Sequence, residues 1–253
     1  MRPCQRYHDA IASHEGQDRA AKLHHQDRPD APRCPVTGLR LHGYWRSSAS
    51  YRVRIALECK GLDFEYVPVH LVRSGGEQYS AQYRALNPQS RVPALETPEG
   101  VLTQSMAIME WLEEAYPEPA LLPRNLGERA RVRALAQIMV ADVQPLQNIS
   151  ITRFLQGTLN VDDAALQVWL REWVGRGLRA FEEMLAQAPG GGDFCVGNTP
   201  TLADVCLVPQ CYSSRRFGVD PAAYPRIAHI ERACAELPAF QRAAPERQPD
   251  AVS

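Results

Sequence analysis

The stretch Trp45-Arg46-Ser47-Ser48-Ala49-Ser50-Tyr51-Arg52-Val53-Arg54-Ile55-Ala56-Leu57 restricts this chain more than any other. Just before it, Leu39 and Leu41 alternate with polar residues, the period of a short strand. Just after the serines, Val53, Ala56 and Leu57 share one face at helical spacing, and Ile55 and Cys59 widen that face. Gly61 stands where a left-handed cap would end the helix. The serines therefore fall at a strand-to-helix turn, among the helix's first open positions. Backbone N–H groups without partners and the positive end of the helix dipole favour an anion there. A serine hydroxyl adds a donor, although Ser47 or Ser48 could equally serve as a plain N-cap.

The chain continues in a regular order. A strand over 39–43, a helix over 48–60 and the apolar run from Phe64 to Val69 form a βαβ unit with parallel strands. A helix-like stretch near 77–86 ends at Asn87-Pro88. Two short strands, Val92 to Thr97 and Val101 to Thr103, flank a tight turn at Pro98-Glu99-Gly100 and predict an antiparallel hairpin. A helix over 105–116 follows, with Ala107, Ile108, Trp111 and Leu112 at core spacing and Pro117 as its stop. The order β-α-β-α-β-β-α over 39–119 is that of a thioredoxin-like domain. After a Pro-rich linker at 117–123 only helical signals remain, so residues 123–250 read as an all-helical domain. Asn125-x-x-Glu128 resembles a capping box opening a long helix through Val132, Leu135, Ile138 and Met139, which Pro145 kinks or ends. Further helices are expected at about 163–187, 201–212 and 226–237. Thr201-Leu202-Ala203-Asp204 is a second capping arrangement, read as part of the fold and not as chemistry. Residues 1–38 hold no apolar period and read as a poorly ordered tail.

Charge and cysteine content exclude several classes of function. A formal net charge of −1 gives no electrostatic case for nucleic acid or an anionic membrane. No apolar run approaches a membrane span, and no signal-peptide core is found near the N-terminus, so the cytoplasm is the default compartment. The seven cysteines, at 4, 34, 59, 195, 206, 211 and 234, are odd in number and contain no C-x-x-C pair. That argues against a disulfide framework and against zinc. Cys59, Cys206 and Cys234 lie in helix-like patterns and read as small buried hydrophobes. The His24-His25 pair reads as solvated, and no metal site is expected.

Taken together, these segments resemble the soluble glutathione transferases, and among them the zeta class of maleylacetoacetate and maleylpyruvate isomerases. The resemblance runs over about 39–250. It rests on the 47–57 loop and helix, Ala85-Leu86-Asn87-Pro88, Val92-Pro93-Ala94-Leu95, Gln104-Ser105-Met106-Ala107-Ile108 and Gln144-Pro145-Leu146-Gln147-Asn148. It continues through Thr201 to Gln210 and Arg216-Phe217-Gly218-Val219-Asp220. The resemblance implies glutathione as cofactor. Val92 and Pro93 would form the cis-proline corner that pairs with glutathione's cysteinyl peptide group; without it, a trans proline opening an edge strand is the plain reading. Gln104 and Ser105, at the start of a helix, suit the γ-glutamyl carboxylate. Gln78 would also contact glutathione. Gln144, Asn148 and Ser150 would reach the site from the helical domain or across a dimer, or would simply be solvated helix residues. A homodimer acting on a small molecule is implied as well.

The chemistry implied is cis–trans isomerisation of a conjugated diketo acid. The glutathione thiolate adds to the double bond, the resulting single bond rotates, and elimination returns the cofactor. Ser47 is the candidate hydroxyl donor to the sulfur and Ser48 supports it. Arg46 and Arg216 are candidates for the substrate carboxylates and for developing enolate charge, since a guanidinium can grip a carboxylate through two bonds. Each could also be a surface arginine. Ala49 stands where most zeta members carry cysteine, which bears on side activities that use a protein thiol. The expected reaction is maleylacetoacetate to fumarylacetoacetate in tyrosine breakdown. The alternatives are maleylpyruvate isomerisation in gentisate breakdown, a general glutathione transferase or dehalogenase, and a non-catalytic binding module.

Overall fold

Alternation at Leu39 and Leu41, both buried, produces the first strand, β1 (Arg40–Gly43), in a computed structural model that describes residues 38–187 and 192–251. The predicted tail, with Cys4, Cys34 and the His24-His25 pair, lies outside the described residues except for Gly38. Helix α1 (Ser48–Cys59) crosses from β1 to β2 (Glu65–Pro68), which pairs parallel to β1. Strands β3 (Ala94–Thr97) and β4 (Gly100–Thr103) complete a sheet of order β2-β1-β3-β4, with β3 antiparallel to both its neighbours. Helix α2 (Ala81–Leu86) precedes β3 and α3 (Ser105–Ala115) follows β4, the thioredoxin-like order read from the sequence.

The differences from that reading are local. The stretch 77–86 is divided into a 3-10 turn, Glu77–Tyr79, and α2, because Ser80 intervenes as an N-cap whose hydroxyl accepts from the Tyr83 N–H. Pro93 lies outside β3 because it has no N–H for the ladder. On α3 the core face is Ile108, Met109 and Leu112, whereas Ala107 is exposed and Trp111 is only partly covered. Gly61 does take the left-handed conformation, φ 64°, beyond α1.

Only helices follow. Asn125 caps α4 (Leu126–Gln137), its side chain accepting from the Glu128 N–H. The helix then loosens into a π turn, Ile138–Val143, and tightens into a 3-10 turn, Gln144–Gln147. Pro145 accounts for both changes, since it can donate no hydrogen bond back into the helix. Next come α5 (Ile149–Gly157), α6 (Asp163–Ala186), α7 (Leu202–Arg216), α8 (Pro225–Ala235) and α9 (Pro238–Ala243). Helices α5 and α9 have no counterpart in the sequence reading. The first buries no side chain fully and the second is too short for a period to show.

Helix α1 is the shared element of the two halves. It packs against α3, α7 and α9, and residues from Ser48 to Leu57 are all buried. Further ion pairs brace the sheet half internally and against α4. Lys60 meets Glu113 at 2.7 Å, both buried, and spends its remaining donors on the carbonyls of Tyr116 and Pro119. Glu113 in turn accepts the amides of Leu121 and Leu122, which fastens the linker to α3. Glu110 of α3 takes both ends of the Arg133 fork from α4, at 2.7 and 2.8 Å. At the head of α7, Asp204 closes the predicted capping box, accepting from the Thr201 N–H and hydroxyl and from the Cys195 N–H.

Candidate active site

Ser47 is the N-cap of α1, and its hydroxyl oxygen accepts from the Ser50 N–H at 3.2 Å. A hydroxyl has two acceptor positions and one proton, so this bond leaves the Ser47 O–H free to donate. The plain capping role and a donor role are therefore compatible in one side chain. The turn that presents it is held by the Ser47 N–H on the Tyr44 carbonyl at 3.0 Å and the Tyr51 N–H on the Ser47 carbonyl at 2.8 Å. Ser50 Oγ accepts the Tyr44 N–H from beneath at 3.3 Å. Ser48 is buried beside Ser47.

A cleft with three adjoining chambers opens over this turn, walled by both halves of the chain. The largest, about 310 Å³, gathers Arg46, Ser47, Ser48, Gln144, Asn148 and Arg216. A second, about 170 Å³, gathers Ser47, Gln78, Val92, Gln144, Asn148 and Ser150. The third, about 100 Å³, gathers Val92, Pro93, Gln104, Ser105, Gln144 and Asn148. All the candidate residues read from the sequence thus line one cleft. Gln144, Asn148 and Ser150 reach it within their own chain.

Local chemistry explains several of these placements. The Val92-Pro93 peptide is cis. Gln104 holds φ 67°, a left-handed conformation costly for a residue with a Cβ, and donates through Nε2 to Gln89 Oε1 at 2.7 Å. No side chain caps α3, so its first amides and the buried Ser105 face the third chamber open to an anion. Gln78 is 1% exposed, and its Oε1 is buried without a partner while Nε2 donates to the Leu71 carbonyl at 3.3 Å. An orphaned acceptor beside a cleft is what a ligand donor would satisfy. Asn148 caps α5, accepting from the N–H and the hydroxyl of Ser150, so this pair is partly occupied with itself.

The lining of the cleft carries arginines and no carboxylate. Arg46 lies over the Trp45 ring at 4.9 Å and Arg216 over the Phe217 ring at 5.3 Å. The Arg46 Nε is buried and has no hydrogen-bond partner. Arg216 is exposed as a residue, yet partial loss of water around the guanidinium, and then the like charge of Arg46, draw its pKa below the ordinary value. Two guanidiniums facing one chamber suit a ligand with more than one carboxylate. Among the described residues no thiol lines the cleft, and burial shifts those present away from the nucleophilic thiolate. Burial pushes Cys206 up to about 11, raises Cys195 and Cys211 well above the ordinary thiol value, and Cys59, half-buried and not fully buried as the sequence suggests, is pushed up to about 12.

Sequence reading passed over Arg52 and Asp250. Arg52 is 2% exposed, donates through Nε to the Ser48 carbonyl at 3.4 Å and lines the third chamber. Its place four residues after Ser48 on α1 was the available signal. Asp250 accepts the Trp45 N–H across 205 positions, and no local pattern announces that. Among the described residues, no group of three His, Cys, Asp or Glu side chains could hold a metal ion, and no helix is long and apolar enough to cross a membrane.

Comparison with known proteins bears directly on this cleft. Family models described as glutathione S-transferase N-terminal and C-terminal domains match residues 41–120 and 167–232. A maleylpyruvate isomerase of Ralstonia sp is 49% identical over 85% of this chain and 100% of its own length. A solved holo structure of maleylpyruvate isomerase, described as a bacterial glutathione S-transferase of the zeta class, superposes with a TM-score of 0.81 at 49% identity. That match covers 84% of this chain and all of the other. A maleylacetoacetate isomerase of Anaeromyxobacter dehalogenans, solved with bound GSH in the active site, superposes at TM-score 0.75 and 48% identity. It covers 85% of this chain and 98% of its own.

Proposed function

The chain belongs to the glutathione S-transferase family, in its zeta class, and from that premise we propose that it is a glutathione-dependent cis–trans isomerase of a maleyl diketo acid. Maleylacetoacetate is the favoured substrate and maleylpyruvate the alternative, because relatives of both names match over most of the chain. The observation that carries the reading is the largest chamber, where a hydroxyl with a free proton, Ser47, shares one wall with the guanidiniums of Arg46 and Arg216.

The residues present fit glutathione. Gln78 Oε1 is a buried acceptor without a partner, the uncapped start of α3 with Ser105 suits a carboxylate, and Val92 at a cis proline lines the chambers between them. When bound, glutathione supplies the sulfur that adds to the substrate double bond, allows rotation and leaves unchanged. Ser47 donates its proton toward that sulfur and, with the first amides of α1, favours the ionised form over a free thiol of pKa about 8.5. Ser48, buried beside Ser47, supports that end of the helix. Arg46 and Arg216 hold the substrate carboxylates and offset the charge that develops on its acyl oxygens. Gln144 and Asn148 close the cleft from the helical half. Domains at 39–119 and 123–250, a homodimeric assembly and a cytoplasmic location complete the proposal.

The test is a spectrophotometric isomerase assay on maleylacetoacetate and maleylpyruvate, with glutathione measured before and after. Turnover that requires glutathione and leaves its concentration constant supports the proposal. Stoichiometric consumption would make the protein a conjugating transferase, and failure to bind immobilised glutathione would make it a binding module of another kind.

A further inference from the structure

The turn that presents Arg46 and Ser47 is gripped from two sides by groups outside the cleft. Arg54, 0% exposed, sends Nη2 to the Trp45 carbonyl at 3.0 Å, Nη1 to the Tyr44 carbonyl at 3.5 Å and Nε to the Ala243 carbonyl at 3.0 Å. Asp250, close to the C-terminus, accepts the Trp45 N–H through Oδ2 at 3.0 Å. The same oxygen receives the Tyr66 hydroxyl at 3.4 Å, while Tyr66 lies beside the Arg54 guanidinium at 5.8 Å. Asp250 is half-buried, and its Oδ1 is buried with no hydrogen-bond partner among the described residues. Ala251 then packs against the cluster of Tyr44, Trp45, Val69, Tyr83 and Val92, of which Tyr44 and Val92 also line the cleft.

We propose that Asp250 is a positioning residue for the reaction: together with Arg54 it fixes the N–H and the C=O of Trp45, and thereby sets where Arg46 and Ser47 stand. The two active-site residues follow Trp45 directly, so a shift of its backbone moves both of them. A misplacement of an ångström is enough to lower turnover by about a hundredfold in a preorganised site. The C-terminal segment is on this view a strap over the catalytic turn. The inference rests on the reading of Ser47 and Arg46 given above.

The experiment compares Asp250→Ala and Asp250→Asn with the unaltered chain in kcat, in KM for glutathione and the maleyl acid, and in the ultraviolet titration of bound glutathione thiolate. Asp250→Ala is expected to lower kcat/KM by about tenfold or more and to raise the thiol's pKa. Asp250→Asn, which keeps an oxygen for the Trp45 N–H, is expected to recover most of the loss. A lower Tm with kinetics and thiol titration both within about twofold of the unaltered chain would reduce Asp250 to a fold-stabilising contact and overturn the proposal. Where Asp250→Ala does not fold, native-state amide exchange on the full chain decides. The Trp45 amide should exchange together with the C-terminal residues, and exchange at a free-loop rate overturns the proposal. The thiol titration needs no substrate, so it separates failure of this inference from failure of the isomerase reading.

Discussion

Ser47 uses one oxygen for two purposes, capping α1 and offering a proton to the cleft, and the two differ in the measurement each one moves. Ser47→Ala removes both. Loss of the cap should cost about 1 kcal/mol of stability, measurable by urea unfolding. Loss of the donor should lower kcat/KM by about two orders of magnitude or more and return the bound thiol toward the free-thiol pKa of about 8.5. Stability and activity effects of equal size would mean that the cap alone matters. Arg216 has no such structural duty, since its guanidinium makes no hydrogen bond among the described residues. Arg216→Gln should therefore leave the unfolding midpoint nearly unchanged while raising KM for the dicarboxylate by about tenfold or more. An unchanged KM would show Arg216 to be a surface arginine. Ala49 lines the third chamber, and no thiol of ordinary pKa stands there among the described residues.

At the scale of elements, the cleft exists because helices of the second half are fastened to the sheet domain. The Glu110–Arg133 pair ties α3 to α4, and the hydrogen bond from Arg133 holds the Glu110 carboxyl below its ordinary 4.5. The folded chain thus binds that proton less tightly than the unfolded chain. The pair's stabilisation is then present above pH 4.5 and is lost as pH falls through the lower, folded value. Partial exposure and screening limit it to about 1 kcal/mol. Glu110→Gln should be less stable than the unaltered chain near neutrality, and the two unfolding curves should converge below pH 4.5. Lys60 and Glu113, both within the sheet half, form a more deeply buried pair, at 0% and 8% side-chain exposure. Lys60→Met strands the Glu113 charge and should cost about 3 kcal/mol or more in denaturant unfolding.

For the whole molecule, packing far from the cleft determines where its roof lies. Gly177 of α6 meets the π turn so closely that an added Cβ would stand 2.0 Å from Val143 Cγ2. Val143 immediately precedes Gln144, which lines all three chambers. Gly177→Ala should therefore cost about 1–3 kcal/mol and also raise KM for glutathione. A stability loss with KM unchanged would uncouple the roof from α6. Both halves of the chain wall the cleft, so a filled cleft should stabilise the whole fold. Glutathione at a hundred times its Kd should add about 2.7 kcal/mol and raise Tm by several degrees.

What could be read without coordinates was whatever repeats at short range. The strand alternation at Leu39 and Leu41, the serine turn before α1 and the Thr201–Asp204 cap are local patterns whose partners lie within a few residues. Part of the cleft's lining was legible as well, because the ordered motifs of the family resemblance mark it, whereas Arg52 was not. The splitting of 77–86, the outward turn of Ala107, the helices α5 and α9, and the partners of Arg54 and Asp250 were not legible. Those outcomes depend on which surfaces meet after the chain has folded. Local hydrogen bonding and periodicity are written into neighbouring residues, whereas the burial of Arg54 or the grip of Asp250 on Trp45 arises only when distant segments close on one another and exclude water between them.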